Sequence, residues 1–269
     1  MKTQSAGKTH VGLKRKVNED RILLAPELGL FVLADGVGGH RAGEVASQLA
    51  VTTMRDYWQR LRAADPPAFF RQFDESLPEI ARHLLNSIHF ANLAVFEAQK
   101  EPDYRGMGST IAVVIHEKDT FWAANVGDSR IYHFDNERLL QVSQDHSLAE
   151  ETKLQKFFPN LEAEKYFAKN ALTRALGIAE TVEAFINPIR PVPGDLLLLC
   201  SDGLTNYVEE SAIQLVLSDP ETSLERKTQI LVDEANEGGG GDNISVILVQ
   251  VEKEGKWDRI KKKFQAKEG

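Results

Sequence analysis

The sequence predicts an α+β fold in which two sheets pack together and are covered by helices. Apolar runs of strand length recur along the whole chain, each bounded by turn residues. They are FVLA before Asp35, STIAVVIH and TFWAANV after residue 108, LLLLC before Ser201, and ISVILVQV after Asn243. Between them lie long stretches with apolar residues at helical spacing, and these come in pairs. Runs of strands separated by pairs of helices bury their apolar faces when two sheet layers stack with helices outside.

The elements follow in order. Strand signals open near Val11 and over residues 21–24, and FVLAD follows as a core strand. After a Gly-rich turn, Ala46, Leu49, Ala50, Thr53, Met54, Tyr57, Trp58 and Leu61 recur at three and four residues, one face of a helix. Pro66 and Pro67 end that pattern. A second long helix is expected over 78–99, with the proline in its first turn and Ile80, Leu84, Ile88, Ala91 and Val95 on one stripe. STIAVVIH, TFWAANV, SRIYHF and RLLQVS then read as an antiparallel meander, with tight turns at Asp119 and at Asn136-Glu137. Residues 143–176 are polar, rich in Lys and Glu, and expected to be helical and partly exposed. Strands return at VEAFINPI and DLLLLC, helices near 209–217 and 223–237, and ISVILVQV closes the sheets. The sequence shows no repeat or linker, so residues 1–269 are expected to form a single domain with a basic tail over 255–269.

Composition narrows the function. The net charge of −8 argues against a nucleic-acid partner, which calls for a basic surplus. The single cysteine, Cys200, excludes an intrachain disulfide and a Cys-rich zinc site and fits a reducing compartment. It ends an apolar run, so it is expected to be buried and inert. The N-terminus has no secretory signal, and no apolar run has membrane-spanning length. A soluble cytoplasmic protein is expected, with a monomer as its state and no membrane insertion.

Four aspartates each lie beside a glycine and next to an apolar run: Asp35, Asp128, Asp202 and Asp242. A single Asp-Gly corner is ordinary turn chemistry. Four of them, from segments spread over the whole chain, suggest strands that deliver carboxylates to one place. Clustered carboxylates repel unless a cation holds them, and hard divalent ions take oxygen ligands. The residues thus point to a carboxylate-built metal site.

The ordered set is more specific than any one motif. Arg15 begins RKVNED, which carries Glu19 and Asp20; Asp35 opens DGVGGHRAG; Gly108-Ser109-Thr110 starts a core strand. NVGDSR, LTRALG, SDGL and GDNIS follow in that order. Over residues 8–251 this succession resembles the bacterial metal-dependent protein phosphatases of type 2C. The resemblance implies a four-layer α-β-β-α sandwich, two antiparallel sheets packed together and flanked by helices. It implies Mn²⁺ or Mg²⁺, two tightly bound ions and a third weaker one. Asp35 would bridge two metals, with the Gly36 carbonyl on one of them; Asp202 and Asp242 would hold the first and Glu19 the second. Asp128 would serve the third, helped by Asp202. Arg15 would grip the substrate phosphate, as a guanidinium fork suits phosphate oxygens better than lysine does. Asn243 would order the site. Phosphoserine and phosphothreonine proteins are the implied substrates, and a bacterial serine/threonine kinase the implied opponent.

Plainer readings stand beside these. Asp20 is either a ligand or a hydrogen-bonding neighbour. His40 is either the general acid or a helix cap; some relatives place a histidine directly after Asp-Gly, where this chain has Val37. The glycines at 238–241 lack the lysine of a P-loop and read as a turn. The flap that relatives carry over 145–170 has no glycine here and a Phe157-Phe158-Pro159 break instead, so substrate choice is expected to differ. Two other functions compete: a non-catalytic module that keeps the fold, and a metal phosphodiesterase acting on nucleotides. The intact Glu19, Asp35 and Asp242 argue against the first. The acidic charge and the lack of a base-stacking motif argue against the second.

Overall fold

The computed structural model describes residues 1–38, 42–71, 73–148 and 171–253. The strands among them form two antiparallel sheets. The first contains β1 (Lys2–His10), β7 (Arg130–Phe134), β8 (Leu139–Gln141), β10 (Leu196–Cys200) and β11 (Ile244–Glu252), in the order β1-β11-β10-β7-β8. The second contains β2 (Asp20–Ala25), β3 (Leu30–Val37), β5 (Ile111–Glu117), β6 (Thr120–Val126) and β9 (Phe185–Ile189), in the order β2-β3-β5-β6-β9. The short β4 (Gly108–Ser109) pairs with the end of β3. Helices α1 (Ala42–Arg62) and α2 (Glu79–Ala98) pack on the second sheet. Helices α3 (Asp202–Thr205), α4 (Glu210–Ser218) and α5 (Leu224–Glu237) pack on the first.

Strand alternation explains the four layers. Leu30, Val32 and Ala34 of β3 face the helical layer, while Phe31 and Leu33 face the other sheet. In β11, Val246 and Leu248 face helices, while Ile247 and Val249 enter the layer between the sheets. Both faces of these strands are covered, so they read as continuous apolar runs rather than as alternating ones. The helices follow their sequence signals: Pro78 immediately precedes α2, and the Ser223 hydroxyl caps α5 by accepting the Arg226 backbone N–H at 3.3 Å.

The expected sandwich of two antiparallel sheets is present, with three local differences. The meander is split. β5 pairs with β6, and β7 pairs with β8, but the chain crosses from one sheet to the other at residues 127–129. The alternation of each strand is unaffected by which sheet it joins, so periodicity alone does not reveal the crossing. Next, a nine-residue strand, β1, precedes Val11. It is an edge strand with Ala6 as its only buried residue, and its polar sequence hides it. Finally, within the described ends of the 143–176 segment, residues 143–147 and 171–176 are not helical, and helix begins only at Leu148. Ser147 and Leu172 form a bridge between them, and Leu176 bridges to Ser109. Residues 149–170 and the tail lie outside the described residues. Cys200 is fully buried as expected, and burial pushes its thiol up to about 12. None of the described helices is long and apolar enough to cross a membrane.

Candidate active site

The layer between the sheets changes character at one end. Continuing inward-facing parity from Phe31 and Leu33 brings Asp35 to that end of β3. Asp20 is its register partner across β2. Two residues beyond Leu199 lies Ser201, and two before Ile247 lies Ser245, both fully buried. The apolar layer thus gives way to carboxylates and hydroxyls. Asp128 sits in the crossing between the sheets, Asp202 at the start of α3, and Asp242 just before β11.

A cavity of about 250 Å³ opens there. Arg15, Glu19, Asp35, Gly36, Asp128, Asp202, Asp242 and Asn243 all line it, together with Thr110 and Leu172. Two glycines allow the approach. A Cβ on Gly36 would lie 1.9 Å from the Gly43 carbonyl oxygen, so the end of β3 could not pass the start of α1. A Cβ on Gly203 would lie 1.8 Å from the Asn243 carbonyl oxygen, which would force the Asp202 and Asp242 segments apart.

Side-chain hydrogen bonds fix the walls. The Asn243 carbonyl Oδ1 accepts the Glu19 backbone N–H at 2.8 Å, and its Nδ2 donates to the Val11 and Val17 carbonyls, each at 3.0 Å. One buried side chain therefore clamps the loop that carries Arg15 and Glu19 to the start of β11. Asp35 is set by Thr110: its backbone N–H donates to Thr110 Oγ1 at 3.1 Å, and its carbonyl accepts the Thr110 N–H at 2.8 Å. Thr110 in turn meets Ser129 Oγ at 2.7 Å. Asn206 Nδ2 donates to Asp202 Oδ2 at 3.0 Å. Behind Asp128, Arg130 grips Asp145 through Nε at 2.9 Å and Nη2 at 2.8 Å, and hydrogen-bonds the Tyr132 hydroxyl at 3.0 Å.

The electrostatics of these walls are unfavourable as they stand. Withdrawal from water, then the charges of Asp20, Asp202, Asp128 and Asp242, push the Asp35 carboxyl well above the usual range. Burial and then Asp128, Asp242 and Asp20 raise Asp202. Burial and then Asp145 raise Asp128 to about 6. Burial also raises Glu19, against the pull of Arg15. Among the described residues Arg15 is the one cation lining the cavity; burial works against its charge, but Asp242, Glu19 and Asp35 together outweigh that, and its Nη2 lies 2.7 Å from Asp242 Oδ2. Among the described residues, no three acidic, histidine or cysteine side chains are closed around a single point. Mutual repulsion favours that spread.

The sequence-derived residues Arg15, Glu19, Asp35, Gly36, Asp128, Asp202, Asp242 and Asn243 are therefore brought together. Asp20 does not line the cavity. It is fully buried behind Asp35 and accepts the Ser201 hydroxyl at 2.9 Å, while its other oxygen, Oδ1, has no partner among the described residues. His40, Phe157 and Phe158 lie outside the described residues. Sequence reading missed Ser201, Ser245, Asn206 and the Arg130–Asp145 pair. Counting strand parity outward from the apolar core would have found the two serines.

Comparison with known proteins agrees with this architecture. The family model described as protein phosphatase 2C matches residues 6–233. The serine/threonine phosphatase stp of Listeria welshimeri is 39% identical over 224 residues, covering 82% of this chain and 84% of that one. The crystal structure of the Mycobacterium tuberculosis serine/threonine phosphatase PstP/Ppp superposes with a TM-score of 0.78 at 28% identity, covering 94% of this chain and all of the other. A PstP catalytic domain in complex with two manganese ions gives a TM-score of 0.77 at 29% identity, covering 93% of this chain and 99% of that one. The chain belongs to the protein phosphatase 2C family and stands with its bacterial serine/threonine phosphatases.

Proposed function

We propose that this enzyme hydrolyses phosphoserine and phosphothreonine in proteins with Mn²⁺ or Mg²⁺ as cofactor, and that it opposes a serine/threonine kinase. The observation that carries the reading is one cavity lined, among the described residues, by five carboxylates and a single arginine. The donor set fits hard divalent ions: the acidic side chains offer oxygen, and among the described residues no histidine or cysteine lines the cavity. Carboxylates raised by burial and mutual repulsion gain most from such ions. The manganese-bound relative supports the choice of metal.

Asp35, at the centre, would bridge two ions, beside the Gly36 carbonyl. Asp202 and Asp242 would hold the first ion and Glu19 the second. Asp128, with Asp202, would hold a third more weakly. When bound, a pair of such ions supplies a water of lowered pKa and offsets the charge of the phosphoryl group. Arg15 binds phosphate oxygens. Its present bridge to Asp242 is half-exposed, and such pairs contribute only about 0–1 kcal/mol, so the guanidinium is released at little cost. Asn243 holds the Arg15 loop, Asn206 orients Asp202, and Asp20 backs Asp35 through its contact with Ser201. The enzyme is taken to act as a monomer on phosphoproteins in the cytoplasm.

Hydrolysis of a phosphothreonine peptide is expected to stop in EDTA and return with Mn²⁺. Asp35→Ala and Asp242→Ala should lose bound metal and nearly all turnover. Arg15→Ala should keep the metal and chiefly raise KM. Full activity in rigorously chelated buffer would sink the mechanism, and an Arg15→Ala enzyme with unchanged KM and kcat would remove the phosphate-grip assignment.

A further inference from the structure

Asp128 differs from the other carboxylates of the cavity in how it is held. Asn206 hydrogen-bonds Asp202, Arg15 pairs with Asp242, the Gly43 N–H meets Glu19, and Asp35 lies within β3. No side chain among the described residues hydrogen-bonds the Asp128 carboxylate, so its place depends on the residues to either side of it. On one side, Gly127 donates its N–H to His146 Nδ1 at 3.2 Å and accepts the His146 N–H at 2.9 Å. On the other, Ser129 Oγ meets Thr110 Oγ1 at 2.7 Å.

Thr110 is where the two carboxylate segments meet. Its Oγ1 accepts the Asp35 N–H at 3.1 Å, and its own N–H donates to the Asp35 carbonyl at 2.8 Å. The Ser109 hydroxyl donates to that same carbonyl at 3.0 Å. Asp35, Thr110 and Ser129 thus form one unbroken series from β3 to the crossing between the sheets. Thr110 and Ser129 are both buried, so bulk water does not compete for their contact. The crossing also presses close to Thr110. Gly127 has a φ of +97°, and a Cβ there would lie 2.7 Å from Thr110 Cβ.

The charges pull the other way. Asp128 is among the carboxylates that act on Asp35, and like charges drive the two segments apart unless a contact or a cation opposes them. A pair of hydroxyls opposes that repulsion without adding charge. A lysine in the same place would compete with the ions, and a further carboxylate would add to the repulsion. Side chains behind the ligands decide how well those ligands hold a metal.

We propose that Thr110 and Ser129 are positioning residues: the contact between their hydroxyls ties the Asp128 turn to Asp35 and sets the reach of Asp128 toward the weakly held third ion. This rests on the phosphatase reading above and deepens it, adding two residues that act through Asp35 and Asp128.

Mn²⁺ is titrated calorimetrically into the metal-free protein, and melting is followed in EDTA. The wild type is expected to show two tight ions and one weaker. Ser129→Ala removes the tie but leaves the Asp35 N–H bonded to Thr110. It should keep the tight ions and weaken the third by about tenfold or more, the cost of losing a side chain behind a metal ligand. Thr110→Val has nearly the same shape but leaves the buried Asp35 N–H without its acceptor, so it should weaken the tight ions as well. Thr110→Ser, which puts the hydroxyl back, should bind the third ion more tightly than Thr110→Val. With a phosphothreonine peptide, Ser129→Ala should lower kcat far more than it raises KM, because the Arg15 loop is untouched. A role in stability alone gives Ser129→Ala a lower melting temperature with the ratio of weak to tight affinities unchanged, and that result overturns the proposal. So does a wild-type titration without a weaker ion. If Thr110→Val does not fold, Ser129→Ala decides alone. If the ions bind in the expected pattern but no phosphopeptide is hydrolysed, the phosphatase reading falls and the positioning role stands.

Discussion

Asn243 offers the sharpest test of how the fold builds the site, because one side chain makes three hydrogen bonds across more than 220 residues of sequence. Asn243→Ala removes the acceptor for the Glu19 N–H and the donor for the Val11 and Val17 carbonyls. At about 1 kcal/mol net for each neutral hydrogen bond, the full loss is about 3 kcal/mol. The loop has an escape, however. Lys14, Arg15 and Lys16 are exposed, so once released it can hydrate its own backbone groups. The loss should therefore settle near 1–2 kcal/mol, a fall of about 2–8 °C in melting temperature for a chain of this size. The kinetic effect should be larger than the thermal one. Arg15 and Glu19 ride on the released loop, so KM for a phosphopeptide should rise about tenfold while the Asp35, Asp202 and Asp242 walls stay in place. Asn243→Asp discriminates further. It keeps an acceptor for Glu19 but sets carboxylate oxygen against two carbonyls and adds a charge beside Asp242, so it should be the less stable variant at neutral pH. Thermal melts in EDTA and steady-state kinetics with Mn²⁺ would measure both. Wild-type melting and KM in Asn243→Ala, or greater stability in Asn243→Asp than in Asn243→Ala, would refute the clamp.

Stability of the metal-free protein should fall as pH rises. Asp35, Asp128 and Asp202 have folded-state pKa values above the unfolded value of about 3.9, so their contribution is fully present below that value and is lost as pH rises through the folded values, about 6 for Asp128. Divalent ions compete with those protons, so Mn²⁺ should raise the melting temperature more at pH 8 than at pH 5.5; equal increments would contradict the burial of these charges. Gly203→Ala should bring its new Cβ against the Asn243 carbonyl and cost about 1–3 kcal/mol of stability. Calorimetric Mn²⁺ titration should then show weakened binding, and wild-type affinity would mean that the close approach of these two segments is dispensable.

The sequence revealed most where two physical constraints coincide. LLLLC and ISVILVQV are covered on both faces, so their apolar runs were unmistakable and the sandwich followed from them. Asp35, Asp202 and Asp242 were legible because each flanks such a run beside a glycine. β1 was not, because an edge strand that buries only Ala6 has no apolar pattern to show. The passage between sheets at residues 127–129 was hidden, because changing sheets leaves strand alternation intact. The hydroxyl layer of Thr110, Ser129, Ser201 and Ser245 escaped notice because small polar residues near turns have many ordinary roles. Only their register against Leu199 and Ile247 marks them as the continuation of the core.

That continuation explains why the site and the core are one construction. The inner faces of the two sheets are dry and close-packed up to Leu33, Leu199 and Ile247, and the next inward positions carry Asp35, Ser201 and Ser245. Carboxylates placed at the rim of an apolar layer lose part of their hydration, which raises their pKa values and strengthens their demand for a cation. A site on an exposed loop would be cheaper to fold but would hold ions weakly in competition with water. Here the rigid strands fix Asp35, and close-approach glycines bring the Asp202 and Asp242 segments to it. The only cation among the described residues of the cavity wall sits on a half-exposed loop clamped by Asn243, with the Leu13 N–H also donating to the Gly240 carbonyl. Under the proposed mechanism the arrangement would separate two tasks physically. The carboxylates that would hold ions belong to the sandwich, whereas the guanidinium that would exchange Asp242 for a phosphate belongs to an exposed loop.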